Sequence, residues 1–437
     1  MFRLILKTLW ARRKRNGWLL AELILVALLS WAIFDPVIVV THDRMLPLGY
    51  DADRLCLVSM DALQPSAPGY DSVSAGQDAL MDSYLHIIDR VRQYNDVEQA
   101  TALTGFSYPG SQGSSISTFR AEGDTSQNQR NVFLVEFLPH THFFETYGFR
   151  PGKGLTPAEL SDYHYTYDGK NLVIDENTLE LLFHTDDPRR KRFWNYDEKD
   201  TSYIDIVGSI GSVKFYSNQR PVPIAFRPAE KAALAKHVPG QAYILIRIKE
   251  GVSMDRFLHD FKPWMLQNLR AGNLYARDLM TYEQNIAESE AWNSTPIYRR
   301  NLLVAVFFLV NLCLGVVGTF WLQTRTRREE VGVMLSFGAT PGRIVRLLLG
   351  EGAVLTTLGT LVGCFIYLQY AISEGLSRGV SYYEGLPPEY WTDFFWAHFL
   401  IVSLFVYAIL LVVVSIGVYI PARKISRIPP TEALRDE

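Results

Sequence analysis

Cysteine is scarce in this chain, with three residues in 437. Cys313 and Cys364 sit inside long apolar stretches and Cys56 stands outside them, so no disulfide framework is expected. An excess of either charge is missing too: the formal net charge is −3, which argues against a nucleic-acid partner. An apolar content of 48% excludes a disordered chain. A phosphate loop is also lacking, because Gly152-Lys153 and Gly169-Lys170 are not followed by Ser or Thr and do not have the G-x-x-x-x-G-K-S/T spacing. Binding of ATP through a P-loop is therefore not expected. His140, His142 and Glu145 alternate in PHTHFFE, yet no third histidine has ligand spacing. That segment reads as a surface turn leading into Phe143 and Phe144. Neither a catalytic residue, a metal nor a cofactor is expected.

What the chain has is long apolar runs. Trp18 to Val40, Leu302 to Leu322, Leu347 to Tyr370 and Phe394 to Ile420 approach or exceed the roughly 20 apolar residues that cross a bilayer core. The expected fold class is an α-helical membrane protein with four transmembrane helices, at 18–40, 301–323, 347–370 and 396–420. Between the first two spans lie some 260 residues of mixed composition, 41–300, long enough for a large domain with its own core. Arg3, Lys7, Arg12, Arg13, Lys14 and Arg15 precede the first span with no acid among them, and Arg325, Arg327, Arg328, Arg343 and Arg346 lie between the second and third. The segment 371–395 holds Arg378 against Glu374, Glu384, Glu389 and Asp393. By the positive-inside rule the termini, 1–17 and 421–437, and the segment 324–346 face the cytoplasm, and 41–300 and 371–395 lie outside. A cleaved signal peptide is the alternative for the first span. The length of its apolar run and the lack of an A-x-A-like site after it favour an anchor.

The large domain alternates strand and helix patterns, which predicts an α+β construction. Arg54 to Met60, Asn131 to Leu138, Asn171 to Ile174, Tyr203 to Ile210 and Ala242 to Lys249 read as strands. Met81, Tyr84, Leu85, Ile88 and Val91 mark one helix, and Phe257, Leu258, Phe261, Trp264 and Met265, after Ser253, mark another. Ser107 to Gln129 reads as an exposed loop or hairpin excursion, and Pro221 to Ala229 as a Pro-rich connection.

The densest signal lies in RTRREEVGVMLSFGATPGRIVRLL, Arg325 to Leu348 with one further residue pattern at its centre: Val331, Met334, Leu335 and Gly338 fall at i, i+3, i+4 and i+7, one apolar stripe on a short helix. Gly338 stops that helix, and Thr340 with Pro341 starts the next, so two helices meet at an elbow. Within the spans, Glu22 and Glu351 lie about one turn from the cytoplasmic end, where basic side chains reach them, and are expected to serve interhelical packing rather than a proton relay. Asp35 with Pro36 predicts a kink or an early exit to water. Gly359 and Gly363 form a G-x-x-x-G pair, and Gly315 with Gly318 gives the second span a small face, both suited to close helix packing. Tyr382, Tyr383, Tyr390 and Trp391 suggest an interfacial aromatic belt.

EEVGVMLSFGATPGRIVRLLLGEGAVLTTLGTLVG, followed after the last span by PARKISRIPPTEALRDE, resembles the C-terminal signature of MacB/FtsX-type ABC transporter permeases. Pro421, Ala422, Arg423, Pro429, Glu432, Ala433, Leu434 and Arg435 match its closing pattern, and Gly332, Gly338, Ala339 and Glu351 its elbow pattern. FFETYGFRPGKGL, NLVIDENTLELLF and YIDIVGSI resemble the MacB-like periplasmic core, and 301–430 the FtsX-like permease domain. The resemblance implies a bacterial inner-membrane permease that works as a homodimer or with a related subunit and is driven by a separate ABC ATPase. It implies a mechanotransmission mechanism, in which ATP-driven closure moves the periplasmic domain and nothing crosses between the helices, with a periplasmic adaptor or outer-membrane channel as a further partner. The elbow would be the coupling helix, carried by Glu329, Glu330, Val331, Gly332, Met334, Leu335, Phe337, Gly338, Ala339 and Arg343. Where relatives often have a basic residue, this chain has Met334 and Leu335, which implies a more apolar partner groove. An FtsX-like regulator of a cell-wall hydrolase is the alternative, and a ligand sensor, for which the tail of about 17 residues carries no signalling module, ranks last.

Overall fold

The computed structural model describes residues 13–124, 129–167, 169–194, 203–293, 295–378 and 389–427. The first helices in chain order are α1 (Arg13–Met45), α2 (Gln77–Arg92), α3 (Phe143–Tyr147), α4 (Pro157–Asp162), α5 (Glu176–Phe183) and α6 (Lys231–Ala235). They are followed by α7 (Met254–Asn268), α8 (Tyr282–Asn293), α9 (Thr295–Arg325), α10 (Arg328–Ser336), α11 (Pro341–Glu374) and α12 (Phe395–Ile425). The strands are β1 (Leu55–Ala62), β2 (Val97–Thr104), β3 (Ser115–Phe119), β4 (Arg130–Phe137), β5 (Asn171–Asp175) and β6 (Arg192–Trp194). Then come β7 (Tyr203–Ile210), β8 (Ile224–Pro228), β9 (Ala242–Ile248), β10 (Arg270–Ala271) and β11 (Leu274–Thr281). Two compact units result, one of residues 42–296 with 380–389, the other of 1–41, 297–379 and 390–437.

The first unit is α+β and holds two sheets, one of five strands in the order β10-β11-β1-β9-β2 and one of six in the order β3-β4-β8-β5-β7-β6. Strand β1 shows why the five-stranded sheet is central. Its side chains alternate faces, and both faces are buried. Cys56, Val58 and Met60 join Met81, Tyr84 and Ile88 of α2 and Phe257, Phe261 and Met265 of α7. Leu55 and Leu57 meet Phe133, Val135 and Phe137 of β4 together with Ile224 and Phe226 of β8. The six-stranded sheet buries its far face, Val132, Leu134, Leu172 and Ile174, against Leu179 of α5. This sheet is mixed, with β4/β8 and β5/β7 parallel and the other pairs antiparallel.

Pro221 to Ala229 is not simply a connection: Ile224–Pro228 forms β8, in the interior of the six-stranded sheet between β4 and β5. Pro228 is its last residue, so the missing N–H falls at the end of the strand. The Ser107 to Gln129 segment contains β3, antiparallel to β4, while 125–128 lie outside the described residues. Gly152 has a structural task, because a Cβ there would meet Ser209 O at 2.6 Å. His142 has a left-handed φ of 57° ahead of α3 and its Nδ1 lies 2.7 Å from Glu145 Oε2. Lys214, fully buried, donates from Nζ to the carbonyls of Asp43 (2.7 Å) and Leu46 (3.2 Å). Burial pushes its ammonium down to about 8, against the opposing pull of Asp43 and Glu290.

The second unit is helical. Gly17–Met45, Pro341–Glu374 and Phe395–Ile425 are each long and apolar enough to cross a membrane. The expected span 301–323 falls within α9, a continuous helix of 31 residues, several of whose side chains lie outside the described set. Among the described residues three helices are thus candidate spans by length and composition, and the fourth is carried into the proposal below. Leu19, Leu23, Ala27 and Trp31 of α1 recur every fourth residue and are buried with Val402, Val406, Leu410, Val414 and Val418 of α12, which repeat likewise. Trp31 donates to Ser403 Oγ at 3.0 Å and stacks on Tyr367 and Phe399.

Pro36 does not end the helix: α1 runs on to Met45. Asp35, rather than leading the chain into water, is 2% exposed, accepts from the Ser377 N–H at 2.9 Å and lies 2.6 Å from His398 Nε2. His398 Nδ1 is 3.1 Å from the Thr392 carbonyl. A side chain that looked like an exit signal instead binds α12 and the residues after α11 to α1. Asp35→Ala leaves a buried imidazole and a backbone N–H without their acceptor, a loss of roughly 3–5 kcal/mol. The expected result is a clearly lowered unfolding midpoint in detergent, and an unchanged one would refute this account.

Candidate functional site

The elbow is built by local chemistry. Glu329 and Glu330 occupy the first turn of α10, where carboxylates offset the exposed N–H ends and the helix dipole. At the other end Gly338 has φ +84°, a conformation that disfavours side chains with a Cβ. Its N–H donates to the Leu335 carbonyl at 3.0 Å and the Ala339 N–H to the Met334 carbonyl at 3.0 Å, the paired bonds of a Schellman stop. Thr340 then takes the N-cap position with extended backbone, without a side-chain cap bond, and Pro341 is the first residue of α11.

The apolar stripe predicted for this helix divides between two faces. Val331, 3% exposed, and Gly332 are buried, and Leu335 and Ala339 pack partly against the core of the helical unit. Met334 and Gly338 are exposed. The outward apolar face is made of Val333 (42% exposed), Met334 (37%) and Phe337 (88%). These stand at i, i+1 and i+4, opposite the pair Val331 and Leu335. Glu329, Glu330 and Arg343 are also exposed. Val333 escaped the sequence reading because a single stripe was sought, and the spacing of Val333 to Phe337 was the signal for a second one.

The glycines separate by environment. A Cβ on Gly359 would lie 2.7 Å from Leu23 Cβ, and one on Gly363 2.7 Å from Ala27 Cβ and 3.0 Å from the Ile24 carbonyl. Both glycines of the G-x-x-x-G pair therefore seat α11 against α1. A Cβ on Gly315 would approach Glu22 Oε1 at 3.3 Å, whereas Gly318 faces open space within the chain. A Cβ on Gly417 of α12, which the sequence did not single out, would lie 3.0 Å from Val317 Cγ2 of α9. The intramembrane acids are paired: Thr319 donates to Glu22 Oε2 at 3.2 Å, and Glu351 receives Arg327 Nη1. Pro421, Ala422 and Arg423 lie in the last turns of α12. Pro429, Glu432, Ala433, Leu434 and Arg435 fall outside the described residues, as do Tyr382 and Tyr383. Tyr390 and Trp391 stand just before α12, with the Trp391 ring edge-on to His398.

Residues 302–430 match the family model of the FtsX-like permease C-terminal domain. Over 301 residues the chain is 32% identical to the macrolide export ATP-binding/permease protein MacB of Wolinella succinogenes, an alignment covering 68% of this chain and 43% of that protein. The chain spans less than half the length of the curated relatives it matches, 42% and 43%. Among solved structures, the periplasmic region of MacB from Actinobacillus actinomycetemcomitans aligns with 56% of this chain and 96% of its own length, at 11% identity and a TM-score of 0.32.

Proposed function

We propose that this chain, a MacB/FtsX-type permease whose residues 302–430 form an FtsX-like C-terminal domain, is the membrane subunit of an ABC transporter driven by a separate ATPase subunit. It lies in the bacterial inner membrane with four spans, α9 being the second, both termini and the elbow in the cytoplasm, and the α+β unit in the periplasm. The observation that carries the reading is the outward face of α10. Val333, Met334 and Phe337 are an apolar tip on a nine-residue helix between two spans, flanked by basic residues that favour the cytoplasmic side. An apolar tip left exposed there suits a groove on a partner protein.

The mechanism proposed is mechanotransmission. Closure of the ATPase moves the elbow, the helices carry the movement, and the periplasmic domain extrudes or exports a substrate that never passes between the spans. Four polar contacts of the helical unit support this, because their side chains are turned toward one another: Trp31 to Ser403, Thr357 to Tyr407, Thr319 to Glu22 and His398 to Asp35. Side chains satisfied in this way do not line a hydrophilic path. A homodimer or a related permease subunit, a periplasmic adaptor or outer-membrane channel, and lipid around the spans complete the assembly. The test is affinity purification of the tagged full chain from bacterial membranes in mild detergents. An ABC ATPase in the eluate is the expected result, and its absence from intact protein in several detergents would overturn the reading.

A further inference from the structure

Arg327 and Glu351 form a buried ion pair at the root of the elbow. Arg327 precedes α10 and Glu351 lies ten residues into α11, and their side chains are 8% and 6% exposed. Burial of this kind is costly, and replacing such a pair by well-packed apolar side chains is often neutral or stabilising. Stability alone therefore does not account for it. Position does. Going up α10 covers about 13 Å and going from Pro341 to Glu351 about 15 Å, at 1.5 Å per residue. The two legs of the elbow are thus nearly equal in length, and the second returns to the start of the first, where Arg327 Nη1 donates to Glu351 Oε2. Between the closed ends, Val331 is buried and Leu335 half-buried in the same core as Ile344 and Leu348. The Schellman stop at Gly338 fixes the other end.

We infer that Arg327 and Glu351 are positioning residues, a clasp that makes α10 and the first three turns of α11 one rigid hairpin, so that a push on Phe337 travels along α11 instead of bending the elbow. Glu351 then delivers the load eight and twelve residues before Gly359 and Gly363, two points where α11 packs against α1 with no room for a Cβ. The pair itself is hidden from any partner. Its loss leaves docking intact and removes transmission. The inference rests on the elbow being the docking site of an ATPase.

The experiment uses the full chain with its co-purified ATPase in lipid nanodiscs, carrying a spin label at Leu361, an exposed site on α11. In the parent protein, ADP with vanadate is expected to change the label's spectrum. Arg327→Met with Glu351→Met, an apolar pair that avoids an uncompensated buried charge, is expected to keep the ATPase bound and to lose that change. The swap of Arg327→Glu with Glu351→Arg is expected to restore it, a rescue that mere filling of space would not give. A parent-like spectral change in the apolar double variant would overturn the clasp while leaving the docking reading intact. A parent chain that brings down no ATPase would overturn both.

Discussion

Phe337→Glu is expected to strip the ATPase from the purified complex while leaving the permease folded. The side chain is 88% exposed, so the substitution removes no internal packing, and a charge at that position is fully solvated in the free chain. In the complex the same carboxylate is buried in an apolar groove, where an unpaired charge costs several kcal/mol. Aromatic anchors at protein interfaces carry about 2–4 kcal/mol when truncated, a factor of about 30 to 1,000 in affinity, so Phe337→Ala should weaken the complex and Phe337→Glu should abolish it. Leu335→Glu is a poorer probe of the same idea. Leu335 packs partly in the core of its own unit, and a charge there damages the permease before any partner arrives. The measurement is the amount of ATPase recovered per permease, with the permease's thermal midpoint taken on the same sample. Equal ATPase recovery from Phe337→Glu and the parent would remove the outward face of α10 from the docking site.

The difference between these two positions marks what the sequence could and could not reveal. An apolar period of 3.6 shows that a helix is amphipathic, but a helix of nine residues with apolar side chains at 331, 333, 334 and 335, and at its C-cap 337, has two such faces, and only the neighbours decide which is inward. The stop of α10 and the start of α11 were legible because glycine at positive φ and a Thr-Pro start are local chemistry. So were β5, β7 and β9, whose β-branched runs bury at least one face fully. Strand β8 was hidden by Pro221, Pro223 and Pro228, since proline punctuates loops as readily as it begins and ends strands. The two buried polar pairs were out of reach for another reason. Asp35 and His398 are 363 residues apart, and Arg327 and Glu351 are 24 apart. Each acid was visible as an anomaly in an apolar run, but its partner was set by helix packing that no local pattern encodes. Pro36 stands inside one continuous helix, which neighbouring helices allow in a membrane span.

The glycine pair on α11 carries the second large expectation. Gly363→Leu should prevent the helical unit from forming, because the new Cβ meets Ala27 Cβ at 2.7 Å and the Ile24 carbonyl at 3.0 Å. A flexible side chain could turn aside, but these neighbours are a Cβ and a backbone oxygen of one helix, so α1 and α11 must separate. Overpacking usually costs about 1–3 kcal/mol, and the rigidity of both partners here places the substitution at or above the top of that range. Gly359→Leu meets Leu23 Cβ at 2.7 Å and should behave alike. Gly318→Leu is the control, since a Cβ there has no neighbour within 4 Å in the chain. Monodispersity and thermal midpoint of the three variants in detergent provide the readout. Loss of the monodisperse peak is expected for Gly359→Leu and Gly363→Leu and not for Gly318→Leu. A Gly363→Leu protein that melts with the parent would mean that α1 and α11 do not meet at that glycine, and the path from Glu351 to the first helix would have to be sought elsewhere on α11.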